Sequence, residues 1–531
     1  MDDMSVSRES TGRRIGTYGL AIGFFYTVNF SVGIGFLNLP RSFYNAGVLV
    51  SCITLAVIAF FNVVTTIWLV ETMSRAQALE YSGKMITHSF LDNSDNQNLL
   101  EEIDDERQED DEICLPTMPE YVIRSDRKFD GPEMCEIFLG KIAKYIYLGI
   151  MVLGVFMDLW IKGTVAATAW SSNIPLNVGI FEKCTRDNLE NISLHPEGKC
   201  WNNYSLCILL YALIVVPLSC LELSEQKWFQ VVLSVMRLLL IFSIIIYCVV
   251  MKLMGSSPVQ DESDSDKAIS SNHWIGGSLA GWLAAIPVFA FTQSIQVNIP
   301  TLTQPIEPKR KLRGLYTSAL LTLTVLYVIL GVVVTAFFQS SVDKTLTLNW
   351  EPLTSPEHNV FLRIWAYFVV LFPSFDVTSA FPLGVTVLTN VIHSALGHDT
   401  PQNSLLHSRS TRVVYRLVFA LIPLIGATFI TELETLLRYE GLLTYIVFWV
   451  FPALMQYSSM KMCRKVFGLQ RCISQSISKT RSDVACVISV KPGDELNTPY
   501  STRFSNNWMV GLALLFACFL IIASIAGIIL K

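Results

Sequence analysis

The chain has 531 residues, 52% of them hydrophobic and 16% charged, with a mean hydropathy of +0.45. A single soluble core stops growing well before this length, so the composition excludes a soluble domain and points to repeated membrane crossings. The formal net charge of −5 is weak for the length and supplies no basic face for nucleic acid.

The opening MDDMSVSRESTGRR has no short apolar core with a cleavage site, so the first span itself is expected to start insertion. Eleven spans are predicted, at roughly 17–40, 46–74, 143–171, 204–221, 228–251, 276–299, 314–338, 360–390, 412–430, 437–459 and 507–530. Lys309 to Arg313 and the basic stretch 461–503 fall on the same side as the N-terminus. The positive-inside rule therefore predicts a cytosolic N-terminus and, with an odd number of spans, a luminal or extracellular C-terminus.

Residues 76–140 form one large cytosolic insert within a single transmembrane domain. Its stretch DNSDNQNLLEEIDDERQEDDEI is acidic and free of aromatics, which predicts disorder. Within it, Asp95, Leu99 and Leu100 fit an acidic dileucine address for a sorting adaptor, pointing to endosome or lysosome against plasma membrane. GPEMCEIFLGK after it reads as a short interfacial helix. The outside loop 172–203 carries Cys184 and Cys200, expected to form a disulfide, and an Asn191-Ile192-Ser193 glycosylation sequon. The cytosolic loop 460–506 is basic and rich in serine.

The first span contains NFSVGIGFLNLP, Asn29 to Pro40, with residues that weaken helices or want polar partners at membrane depth. Leu37-Asn38-Leu39-Pro40 ends it, and Val297-Asn298-Ile299-Pro300 ends the sixth span, whose middle reads PVFAFTQSIQ. Five spans separate the two, so they enter from opposite faces, which is the pattern of an inverted repeat with paired broken helices. A break frees N–H groups that bind a carboxylate and C=O groups that bind a cation, together suiting a zwitterion. The expected solute-binding residues are Asn29, Ser31, Val32, Gly33, Ile34 and Gly35 with Phe289, Ala290, Phe291 and Ser294. Gly33 and Gly35 are expected to let the backbone unwind and the solute approach, against a simpler role in helix packing.

NFSVGIGFLNLPRSFYNAGVLV resembles the first helix and turn of the amino acid/auxin permease family, part of the amino acid–polyamine–organocation superfamily. VVTTIWLVETM, SVMRLLL, IPTLTQPIEPKRKLR, FPSFDVTSAFP and ELETLLRYEGLL resemble more closely an orphan branch, the transmembrane protein 104 family. The resemblance implies an all-α polytopic membrane protein with a leucine-transporter-like five-plus-five inverted repeat and one extra C-terminal helix. It also implies solute held between spans 1, 3, 6 and 8.

Asp158 and Lys162 lie in the third predicted span, Arg237 in the fifth and Asp376 in the eighth. Each costs roughly 2.5–3.5 kcal/mol at a helix centre unless it pairs or faces a cavity. Asp158 and Lys162 are four apart and share a helix face. In the fold that the resemblance implies, Arg237 and Asp376 can pair. Sodium-coupled relatives hold their ion where Thr378 and Ser379 fall, whereas some proton-coupled relatives put a basic side chain there, as Arg237 would be. Arginine keeps its proton, so a coupling proton falls to Asp158 or Asp376, and a structural ion pair is the alternative reading of each. Tyr26, Tyr147, Phe289 and Phe291 are candidate pocket walls. His273, His393, His398 and His407 show no metal-ligand spacing, and no catalytic constellation, metal or cofactor is predicted.

The expected function is a secondary active transporter of amino acids or related small organic solutes, coupled to protons or sodium. The alternative is a nutrient sensor or adaptor that keeps a transporter-like fold, with the acidic insert as docking arm.

Overall fold

A computed structural model of the chain describes residues 17–97, 121, 123, 129–173, 181–184, 198–220, 227–255, 274–395, 409–429, 431–480 and 498–529. The main helices in chain order are α1 (Leu20–Ser31), α2 (Leu39–Ala46), α3 (Val48–Gln97), α4 (Gly131–Leu139) and α5 (Lys141–Asn173). Next come α6 (Lys199–Cys220), α7 (Lys227–Leu253), α8 (Leu279–Thr292), α9 (Ile299–Thr303) and α10 (Leu312–Phe338). The last are α11 (Val360–Ala395), α12 (Arg409–Phe429), α13 (Leu433–Tyr445), α14 (Phe451–Thr480) and α15 (Asn507–Ile529).

Among the described residues, 9 helical stretches are long and apolar enough to cross a membrane, and Val413–Phe429 is a shorter apolar helix. The protein is therefore an all-helical multi-pass membrane protein. The first predicted span is not one continuous helix, because a 3-10 turn at Ile34–Leu37 separates α1 from α2. Large apolar side chains such as Phe25, Leu153, Leu213, Phe361 and Leu515 point outward, as a surface facing lipid tails requires.

α8 runs through the middle, with every residue from Leu283 to Thr292 buried. Small residues let its neighbours come close. A Cβ at Gly441 of α13 would lie 2.4 Å from Pro287 Cβ, and one at Gly527 of α15 would lie 2.8 Å from the Leu283 carbonyl carbon. Gly47, between α2 and α3, takes φ +86°, a conformation that favours glycine, and Gly277 N–H donates to Ala46 O at 2.9 Å beside it.

One end of the bundle carries the Cys184–Cys200 disulfide, with Cα atoms 5.0 Å apart. There the loop after α10 is held down by Trp350, fully buried against Tyr247, Phe338 and Trp365. The opposite, insert end differs from the sequence expectation. α3 continues to Gln97 and α14 to Thr480, so both predicted loops begin as helix extensions. Tyr121 packs with Ala78, Cys463 and Phe467 in a small cluster, while Ile123 and Phe129 join the main core. These apolar residues of the insert find cover that an acidic composition hides. α4 is the predicted short helix. Leu99, Leu100, Asn191, His273, His398 and His407 lie outside the described residues, as do the side chains of Asp95 and His393.

Candidate functional site

The two predicted breaks are present and touch each other. α1 stops at Ser31, whose hydroxyl donates to Thr27 O at 2.7 Å. Val32 leaves helical geometry at ψ 80°, and Gly33 is extended at φ −78°, ψ −175°. The 3-10 turn that follows has no side-chain cap, so its first N–H groups lack an acceptor within the helix.

The two glycines do different things, and neither takes the left-handed conformation that only glycine favours. A Cβ built on Gly33 meets nothing within 4 Å. One on Gly35 would sit 2.8 Å from Thr292 Cγ2 and 2.9 Å from Phe291 Cδ1. Gly35 thus seats the first break on the end of α8, which is the packing role, and the open backbone lies at Gly33.

The second break is sealed by its own side chains. Ser294 N–H donates to Phe291 O at 3.1 Å, and Ile295 N–H donates to Gln296 Oε1 at 3.1 Å. Gln296 Nε2 donates to Asn62 Oδ1 at 3.1 Å, and Asn62 Nδ2 donates to Gln293 Oε1 at 3.3 Å. Trp449 Nε1 donates to Asn62 Oδ1 at 2.7 Å. Trp449 is aimed there from a π-helical stretch, Ile446–Val450, that interrupts the helix between α13 and α14. Such single-turn stretches inside α-helices are frequent at functional sites. Ser294 stays partly exposed, while Phe289, Ala290 and Phe291 are buried and Phe289 packs edge-on to Phe43 at 5.6 Å. Asn29 lies in the last turn of α1, and its side chain is outside the described set.

The intramembrane charges form two groups. Arg237 Nη2 lies 2.5 Å from Asp376 Oδ1, and Arg237 Nη1 donates to the Val32 carbonyl at the first break. The guanidinium therefore occupies the carbonyl end of that break. Thr378 Oγ1 donates to Ser374 O at 2.6 Å and Ser379 Oγ to Asp376 O at 2.9 Å, so both hydroxyl protons are spent within α11. Asp158 and Lys162 pair within α5. Buried Tyr211 of α6 sits close enough to feel both Asp158 and Asp376. Two of the candidate aromatics have ring partners. Tyr147 packs edge-on to Phe451 and over Gly131 of α4, and Tyr26 packs on Tyr18.

A model of the transmembrane amino acid transporter protein family matches residues 133–479. The chain belongs to this transporter family. The match takes in α5 through α14, and so every intramembrane charge named above. Relatives extend the likeness over the first break as well. The chain is 24% identical to mouse Transmembrane protein 104 over 85% of its length and 89% of the relative's. The human protein is 23% identical over 96% of both chains, and the Drosophila melanogaster homologue 21% identical over 85% and 90%.

The span-by-span reading of charge missed three ionisable residues within the helices. Glu440 and Arg438 lie within α13, Arg438 pairing with Glu434. Glu71, in α3, is wholly buried. The rule that selected Asp158, an ionisable residue inside an apolar span, also selects Glu440 and Glu71. It went unapplied because both lie near span ends, where charge is ordinarily free to reach water.

Proposed function

We propose that the chain is a secondary active transporter of amino acids or related small organic solutes, working by alternating access. The observation that carries this is the open, uncapped backbone at Gly33, seated against the α8 break in a member of a transporter family. Spans 1–5 and 6–10 are read as an inverted repeat, with α15 as the extra eleventh span. The Gly33 N–H is spent on Ser31 O at 2.9 Å, so the N–H groups of Ile34 and Gly35 would take the solute's carboxylate. The Phe291 carbonyl and the Ser294 hydroxyl would take its ammonium, since a bonded carbonyl keeps a second lone pair. Arg237 serves as a fixed cation at the first break, and a buried intramembrane carboxyl group carries the coupling proton. The sensor reading is separated by flux, because it requires saturable binding without uptake.

The test is uptake by proteoliposomes holding the full chain, screened across the amino acids at two pH values, with and without sodium. Gly33→Leu is expected to abolish uptake and leave folding intact, since a side chain fills the space where oxygens approach the backbone. Gly35→Leu is expected to cost stability, by about 1–3 kcal/mol or more, through overpacking against Thr292. Saturable uptake by Gly33→Leu overturns the backbone site.

The orientation follows from the basic loops. Tags at the N-terminus and in the 76–140 insert are expected to be cytosolic, with Asn191 glycosylated and the C-terminus on the other face. Both termini on one face would overturn the eleven-span count.

A further inference from the structure

Glu440 stands near the middle of α13 with 6% of its surface exposed, and its Oε2 has no hydrogen-bond partner among the described residues. Burying an unpaired carboxylate anion is among the costlier things a membrane span can do. Its surroundings supply little relief. Asp158 and Lys162 of α5 are the charged groups that reach it from across the helix interface. On its own helix, Glu434 and Arg438 are paired with each other. Tyr445, further along, bonds Ser524 of α15 at 2.8 Å. α8, α15 and the π-helical stretch also pack on α13, and they carry no charged residue. Gly441 packs directly on Pro287, which holds α13 close against α8.

The charge count then decides what the site can hold. Asp158 and Glu440 are two carboxyl groups, and Lys162 is one ammonium. With all three ionised the group carries one uncompensated negative charge inside the bilayer. Adding a single monovalent cation makes it neutral. Lys162 is already engaged by Asp158, so the open position is the unbonded Oε2 of Glu440. A metal ion wants several oxygen ligands, and none of the groups named above converges on Oε2. A proton needs only the one oxygen.

We propose that Glu440 is a proton-binding site, with Asp158 and Lys162 as its charge partners, and that its proton is the one coupled to solute movement. The binding step is simple: Oε2 gains a proton from water on one face and forms an O–H bond, and on release that bond breaks and the proton leaves to the other face. Lys162 lies within the field of both carboxyl groups and would turn from Asp158 toward Glu440 when that proton leaves, keeping the membrane interior close to neutral. The coupling half of this proposal rests on the transporter reading, whereas the proton site does not.

The test therefore has two arms on the purified full chain. In infrared difference spectra between neutral and alkaline buffer, where exposed carboxyl groups stay ionised in both, the wild type is expected to show the carbonyl stretch of a protonated carboxylic acid. Glu440→Gln is expected to lose that band. Glu440→Asp, which keeps a carboxyl group, and Glu434→Gln are expected to retain it. A band that persists in Glu440→Gln overturns the site. In proteoliposomes with an imposed pH gradient, amino acid uptake by the wild type is expected to rise severalfold when the outer face is acid. Glu440→Gln is expected to lose that response yet keep exchange of labelled for unlabelled amino acid across the vesicle wall. Retained acid stimulation in Glu440→Gln, or stimulation by sodium in place of acid, overturns the coupling role. A Glu440-dependent band without uptake of any amino acid supports the proton site and rejects the transporter reading instead.

Discussion

Asp376→Asn is expected to lower the stability of the protein by about 3–5 kcal/mol, the usual cost of leaving one partner of a buried ion pair alone. Arg237 is a permanent cation on a helix that is otherwise apolar around it, SVM-R-LLLIFSIII. Its two ends are used differently: Nη2 meets the Asp376 carboxylate and Nη1 meets the Val32 carbonyl. Removing the carboxylate charge leaves the Val32 carbonyl, a dipole, facing a full charge. The exchanged double variant, Arg237→Asp with Asp376→Arg, is expected to recover part of the loss. Recovery stays incomplete because an aspartate at 237 offers no donor to Val32. Denaturation of the purified protein in mixed detergent micelles reads both effects. No recovery in the double variant would count against the pair as the source of the loss. The same geometry predicts that replacing sodium by potassium or choline leaves uptake unchanged, since a guanidinium already stands on the carbonyl that a metal ion would use. Strict sodium dependence would reject that reading.

The elements were legible because apolar runs of span length have few other uses. The break in the first span was legible from Gly33, Gly35 and Pro40, and its counterpart from Gln293, Asn298 and Pro300. Partners across the fold were harder to see. Nothing local in the sequence distinguishes Gly35, pressed on Thr292, from Gly33, which faces open space. The difference depends on where α8 runs. The sealing of the second break by Asn62 was hidden for the same reason, since Asn62 lies 231 residues from Gln293. The ends of the insert were misread as loop because composition averages over a segment. Tyr121, Ile123 and Phe129 are few, but each is buried.

Arg75→Ala is expected to cost about 3–5 kcal/mol as well, and to loosen the insert end specifically. Glu71 and Arg75 are four apart at 0% and 1% exposure, joined at 3.0 Å. Arg75 Nη1 also donates to Gln456 Oε1 at 2.8 Å and to Ser459 Oγ at 3.1 Å. Gln456 Nε2 returns a bond to Glu71 Oε2 at 2.7 Å, and Ser505 donates to the other oxygen of Glu71. One network thus ties α3, α14 and the segment leading into α15. A network of charged hydrogen bonds holds firmly when complete, and under the transporter reading it would be a closure that opens as water takes over its bonds. Cys463 is buried beside it, in the cluster with Ala78 and Phe467. Site-resolved thiol labelling of Cys463 is expected to speed up severalfold in Arg75→Ala and in Glu71→Gln. Replacing both charges by methionine is expected to restore most of the stability, because an apolar pair of similar volume avoids the desolvation cost. It is also expected to slow labelling below the wild-type rate and to slow uptake, since the apolar contact gives water no bond to exchange. If the double methionine variant labels and transports as fast as the wild type, the network is a structural clamp that never opens during the cycle.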